Sequence, residues 1–173
     1  MLANFRCVLE LAARADPECD LLTWEQGTGR KGIVATADGT RRTVRISPDA
    51  YFAIRSGGKT RHCFLEVDRS TEELDRLTKK YVNYWWYLQS QEFQLLADLD
   101  DPLTVLFVTT GGQRLANMAA TLRDLPKPNR TQRGGRGVFW FCLQADFGLE
   151  NPPSILGPIW SVANAGSGRR SLS

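Results

Sequence analysis

The chain has 173 residues and a mass of 19.4 kDa, about one domain's worth, with 42% hydrophobic and 24% charged residues. That composition supplies a core and excludes general disorder, and no window approaches the roughly 18 uninterrupted apolar residues of a membrane span. Net charge is only +3, and a single histidine, His62, excludes a His-based zinc site and makes any Ser-His-Asp or Cys-His triad depend on that one residue.

Residues 3–14 place Phe5, Val8, Leu9 and Ala12 at the i, i+3, i+4, i+7 spacing of an amphipathic helix, which Asp16-Pro17 ends. Residues 1–14 lack the pattern of a secretory signal, so the expected location is cytoplasmic. Strands are expected at 21–25, 43–46, 51–54 and 62–67, with a glycine- and charge-rich hairpin or turn over 27–39 that contains Ile33-Val34-Ala35. A long helix is expected over 71–90, with Ser70 or Thr71 as its N-cap. An interior strand over 104–109, a helix over 113–122 and a strand over 138–143 follow. The stretch 155–162 is apolar. Residues 164–173 are expected to be a disordered tail, leaving 1–163 as a single domain. This order predicts an α/β fold, a central mixed sheet with helices on both faces. The four cysteines (Cys7, Cys19, Cys63, Cys142) form no CxxC pair and read as ordinary thiols.

The chemistry concentrates in two strings. Pro48-Asp49 opens one predicted strand, and Phe64-Leu65-Glu66-Val67-Asp68-Arg69 ends the next. Residues two apart in a strand share a face, so Glu66 and Asp68 project together. If the two strands are antiparallel neighbours, Asp49 joins them in a three-carboxylate cluster. Such a cluster is self-repelling unless cations neutralise it, and hard oxygen ligands suit Mg²⁺ or Mn²⁺. The alternative is a turn-opening Pro-Asp and an Asp68 that caps the following helix.

The Pro48-Asp49-Ala50-Tyr51-Phe52 and Phe64-Leu65-Glu66-Val67-Asp68-Arg69-Ser70-Thr71 strings, with the later Lys80 and Tyr84, resemble the replication-relaxation family of plasmid and mobile-element proteins. More broadly they resemble the PD-(D/E)xK restriction-endonuclease-like fold. The resemblance implies a metal-dependent nuclease-like protein acting on DNA, with Asp49 and Glu66 as primary Mg²⁺ or Mn²⁺ ligands and Asp68 as a further ligand or orienting group. It also implies partners among plasmid replication or mobilisation proteins. The superfamily pattern puts a lysine where Asp68 stands. A substitute is available on the next helix, where Lys80 lies about 70° from the centre of the apolar stripe and Lys79 nearly opposite it. The missing lysine equally suits a catalytically inactive DNA-binding or assembly module.

Charge distribution fits nucleic acid. Eight basic residues stand against two acidic ones between residues 28 and 61, and Lys127, Arg130, Arg133 and Arg136 lie in a Gly/Pro-rich segment suited to tracking a phosphate backbone. The run Tyr84-Trp85-Trp86-Tyr87 circles its helix, so it serves the core and one further surface, a candidate homodimer contact.

Overall fold

The N-terminal stripe folds as its spacing predicts: α1 (Leu2–Ala15) buries Phe5, Val8, Leu9 and Ala12, and Asp16 turns extended before Pro17. In this computed structural model, residues 1–35, 40–69, 73–97, 101–126, 136–163 and 168–173 are described. Six strands make the central sheet, in the order β1 (Cys19–Gln26), β4 (Ala50–Ser56), β5 (Lys59–Asp68), β6 (Leu103–Thr109), β7 (Phe139–Leu143) and β8 (Ser161–Val162). The pairs β1–β4, β4–β5 and β7–β8 are antiparallel, whereas β5–β6 and β6–β7 are parallel, so the sheet is mixed.

Alternation along β5 assigns its two faces. Cys63 and Leu65 pack in a cluster with α1, while Phe64 packs in a second cluster with α2 (Leu74–Tyr87) and α4 (Gly112–Asp124). β6 carries an unbroken apolar run from Val105 to Val108 because both its faces are covered: Leu106 and Val108 pack in the α1-side cluster and Val105 and Phe107 in the α2-side cluster. The long apolar run of a buried parallel strand is therefore explained by helices on both faces. Among the described residues no helix is long and apolar enough to cross a membrane.

Three segments differ from expectation. The strands β2 (Arg30–Ala35) and β3 (Arg41–Ile46) form their own two-stranded sheet, packed on α2 and the short α3 (Gln91–Gln94) instead of joining the main sheet. Val34, Val44 and Ile46 supply its buried side. Gly32 permits the close approach, since a Cβ there would stand 2.5 Å from Ser90 Oγ. The helix expected over 71–90 is shorter, ending at Tyr87, and a separate short helix follows Ser90. α2 starts at Leu74 behind an extended Glu73, and Ser90 is extended and caps α3 by accepting from the Phe93 N–H. A serine competes well for an N-cap, so Ser90 starts α3 instead of ending α2. Ser70 and Thr71 lie outside the described residues. Finally, the disordered tail expected over 164–173 is corrected over residues 168–173. Leu172 is buried in the α1-side cluster, its N–H donates to the Leu156 carbonyl, and Arg170 bridges to Trp160.

Candidate functional site: a buried carboxylate held from helix α2

Asp49 stands just before β4, behind a buried Pro48. Its backbone N–H donates to the Leu65 carbonyl at 3.0 Å, and its Oδ2 accepts from the Val67 N–H at 2.7 Å. Asp49 thus bonds to both chain neighbours of Glu66, to Leu65 through its backbone and to Val67 through its carboxylate, and is fixed at the end of the β4–β5 ladder. The Pro-Asp turn therefore does more than open a strand.

Glu66 is 3% exposed on the α2 side of β5. Lys80 Nζ lies 2.8 Å from its Oε2, and the Tyr84 hydroxyl donates to its Oε1 at 2.6 Å. Lys80 and Tyr84 are one helical turn apart, so a single face of α2 holds both oxygens. Burial pushes the Glu66 carboxyl up to about 6, against the opposing pull of Lys80 and Tyr84 and with the neighbouring Asp49 charge adding to the rise. Burial, followed by the Glu66 charge, drives the Tyr84 hydroxyl well above its ordinary value, so it remains a donor. The helical phase read from the sequence holds here: Lys80 turns inward with a half-buried side chain, and Lys79 is exposed.

Asp68 shares the face of Glu66 but has a different partner. Arg114, in the first turns of α4, grips both of its oxygens, Nε to Oδ2 at 2.8 Å and Nη2 to Oδ1 at 3.2 Å, and the Thr109 hydroxyl donates at 3.3 Å. The expected three-carboxylate cluster is corrected accordingly. Among the described residues no group of three or more His, Cys, Asp or Glu side chains is placed to hold a metal ion. An arginine built into the fold relieves the Asp68 charge instead. Sequence reasoning missed Arg114. The available signal was a cation near a helix N-terminus, where the macrodipole disfavours it unless an anion waits opposite.

Glu66 and Tyr84 form the floor of a cavity of about 260 Å³, bordered by Arg45 of β3 and by Arg76, Lys79 and Lys80 of α2. The predicted backbone-tracking residues are not gathered there. Lys127, Arg130 and Arg133 lie outside the described residues. Arg136 donates to the carbonyls of Leu122 and Leu125 and so closes the C-terminal end of α4, a structural role that occupies its guanidinium. Away from the cavity, His62 sits buried between the Tyr51 hydroxyl, 2.7 Å from Nδ1, and Asp101, 3.3 Å from Nε2, a satisfied core histidine. Cys19, Cys63 and Cys142 are buried, and burial pushes the first two thiols up to about 11 and about 12, which keeps them protonated.

Compared with known proteins, residues 1–98 match the model of the family described as replication-relaxation, more than half of the chain. The chain belongs to the replication-relaxation family. Membership points to the replication of a plasmid or other mobile element as its setting. No curated protein and no solved structure matches. The matched span contains Asp49, Glu66, Asp68, Lys80 and Tyr84, and it ends before Arg114. The matched region thus includes the cavity floor, Glu66 and Tyr84, while the arginine that secures Asp68 comes from outside it.

Proposed function

We propose that this replication-relaxation protein is a nuclease-like, metal-dependent DNA-processing protein with a restriction-endonuclease-like core, acting at the Asp49–Glu66–Lys80 site. The observation that carries the reading is Lys80 reaching from α2 to Glu66, 2.8 Å away, beside an Asp49 fixed on either side of that residue. A lysine thereby reaches the carboxylates although Asp68 stands where the superfamily pattern puts one.

Two carboxylates suit Mg²⁺ or Mn²⁺, because such ions are commonly held by one or two protein carboxylates together with waters and substrate phosphates. Asp49 and Glu66 would hold the ion, and Asp68, committed to Arg114, would act as an orienting group in the wall. When bound, the ion would polarise a phosphodiester and ease deprotonation of a water. The chain's own contribution lies in placement. Tyr84 fixes the Glu66 carboxylate in one orientation. The Lys80 ammonium, at the cavity border against Glu66, stabilises negative charge that develops on a phosphate. Burial of Glu66 makes its ionised form sensitive to pH near about 6.

One observation favours a second reading, an inactive DNA-binding or assembly module. Protein cations already neutralise both β5 carboxylates, Glu66 through Lys80 and Asp68 through Arg114. Calorimetric titration with Mn²⁺ separates the two. The nuclease reading expects a binding site that Asp49→Asn abolishes. Absence of binding in the parent protein supports the module.

A further inference from the structure

The rim of the cavity above Glu66 is basic, with Arg45, Arg76 and Lys79 in its lining. Arg76, Lys79, Lys80 and Asn83 follow the i, i+3, i+4, i+7 spacing on α2 and line its opening. Arg45 of β3 borders the same cavity from the exposed face of its strand, between Val44 and Ile46, which are buried against α2. Further along the same strand Arg42 lies with its guanidinium 5.8 Å from the centre of the half-buried Trp86 ring, and Arg41 is exposed. Among the described residues none of Arg41, Arg42, Arg45, Arg76 or Lys79 has a carboxylate within ion-pair distance. The contrast with other arginines is clear, since Arg6, Arg30 and Arg55 are paired with Glu10, Glu25 and Asp20. Asp75 precedes Arg76 but lies about 100° away around the helix. Arg45, Arg76 and Lys79 border one cavity with no ion-paired carboxylate among the described residues, so they repel each other and favour a polyanion there.

We propose that the β2–β3 hairpin and the polar face of α2 form a phosphate-tracking wall, with Arg45, Arg76 and Lys79 holding the backbone of duplex DNA over the Glu66–Lys80 floor. The inference rests on the DNA reading above and adds where the DNA lies. It differs from the sequence-based expectation, which put backbone contacts at 127–136. The dimensions suit the ligand. From residue 76 to residue 83 α2 advances about 10 Å, a span that covers roughly three phosphates of one strand at about 3.4 Å of axis each. An extended hairpin packed on α2 gives the second side of the channel, and the tie from the Ile33 N–H to Glu92 Oε2, 2.9 Å, holds it in place.

The test is a fluorescence-anisotropy titration of labelled duplex DNA across a range of KCl concentrations, in EDTA so that no cleavage occurs. It compares the parent chain, the triple variant Arg45→Ala/Arg76→Ala/Lys79→Ala, and a control triple Arg14→Ala/Arg55→Ala/Lys59→Ala. The control removes the same charge from α1 and from the far end of the β4–β5 hairpin. At about 0.9 in log–log slope per phosphate contact, the wall triple should flatten the salt dependence by two to three units. The control should leave it unchanged, and Arg76→Lys should behave as the parent does. All the altered side chains are exposed, and circular dichroism melts verify folding; the single variants Arg45→Ala and Arg76→Ala, each losing about one unit, serve if the triple is unfolded. A parent that binds with an unaltered slope in the wall variants overturns the wall alone. Equal losses in both triples also overturn it, leaving net charge as the cause. A parent that binds no DNA overturns the wall and the DNA reading together.

Discussion

Lys80 and Tyr84, four residues apart on α2, take one oxygen each of the same buried carboxylate: Lys80 Nζ lies 2.8 Å from Glu66 Oε2, and the Tyr84 hydroxyl 2.6 Å from Oε1. The pair spans helix and sheet and holds both oxygens of Glu66 from one helix. Its rigidity bears on both catalysis and stability.

If Lys80 acts on charge that develops during phosphodiester cleavage, its loss falls on the rate and not on DNA affinity. Lys80→Ala is expected to lower the single-turnover cleavage rate by about 10²–10³-fold, the usual loss for one oriented charge-stabilising donor. Lys59→Ala, at the far end of β5, should stay within a few-fold of the parent. Equal small effects from the two substitutions would remove Lys80 from the mechanism and favour the inactive module.

Glu66 also sets a pH dependence of stability. Its carboxyl is raised from 4.5 to about 6 in the fold, chiefly by burial, so the native state favours the protonated form. The stabilisation this confers is complete below 4.5 and is lost as pH rises through about 6. At about 1.4 kcal/mol per pKa unit, the loss is about 2 kcal/mol. Glu66→Gln keeps an acceptor for Tyr84 and cannot titrate, so urea unfolding should show the variant gaining on the parent by about that amount across the interval. A pH-independent difference would contradict the burial of an ionisable Glu66. Glu66→Ala should instead destabilise at all pH values, by about 1–3 kcal/mol, because the buried Tyr84 hydroxyl loses its partner.

Much of this was legible in the sequence, and the parts that were not share a cause. Periodic patterns located α1, β5 and α4, an unbroken apolar run located β6, and helical phase placed Lys80 at the edge of the buried stripe and Lys79 opposite it, because each rests on a local pattern. The Asp49–Glu66 proximity followed from a hairpin with few residues in its turn. The Asp68–Arg114 pair joins residues 46 apart through a parallel strand crossing, and no local pattern announces such a pairing. The β2–β3 hairpin was ambiguous for another reason: its strands bury one face only, against a helix far along the chain, and Gly32 meets Ser90 there. Leu172, isolated among small and charged residues, gave no periodic signal of its burial at all.

Arg114 tests the structural side of the site. Its guanidinium is the main partner of a buried Asp68, and breaking such a pair from one side leaves an uncompensated charge. Arg114→Ala is expected to destabilise the fold by about 3–5 kcal/mol. Adding Asp68→Asn should recover most of that loss, and chemical denaturation of the two single variants and the double variant measures the coupling. Additive losses would mean that the two side chains do not depend on each other.

The central claim is that Asp49 and Glu66 form a working cleavage site. Its most direct test is the cleavage of supercoiled plasmid DNA by the parent chain and by Asp49→Asn, each with Mg²⁺, with Mn²⁺ and with EDTA. The account predicts cleavage by the parent with either ion, none in EDTA, and none by Asp49→Asn, with both proteins equally folded and equally able to bind DNA. It predicts further that the parent's activity rises as pH passes about 6, where Glu66 ionises. A folded, DNA-binding parent that leaves the plasmid intact under both ions, or an Asp49→Asn variant that cleaves as the parent does, would contradict it.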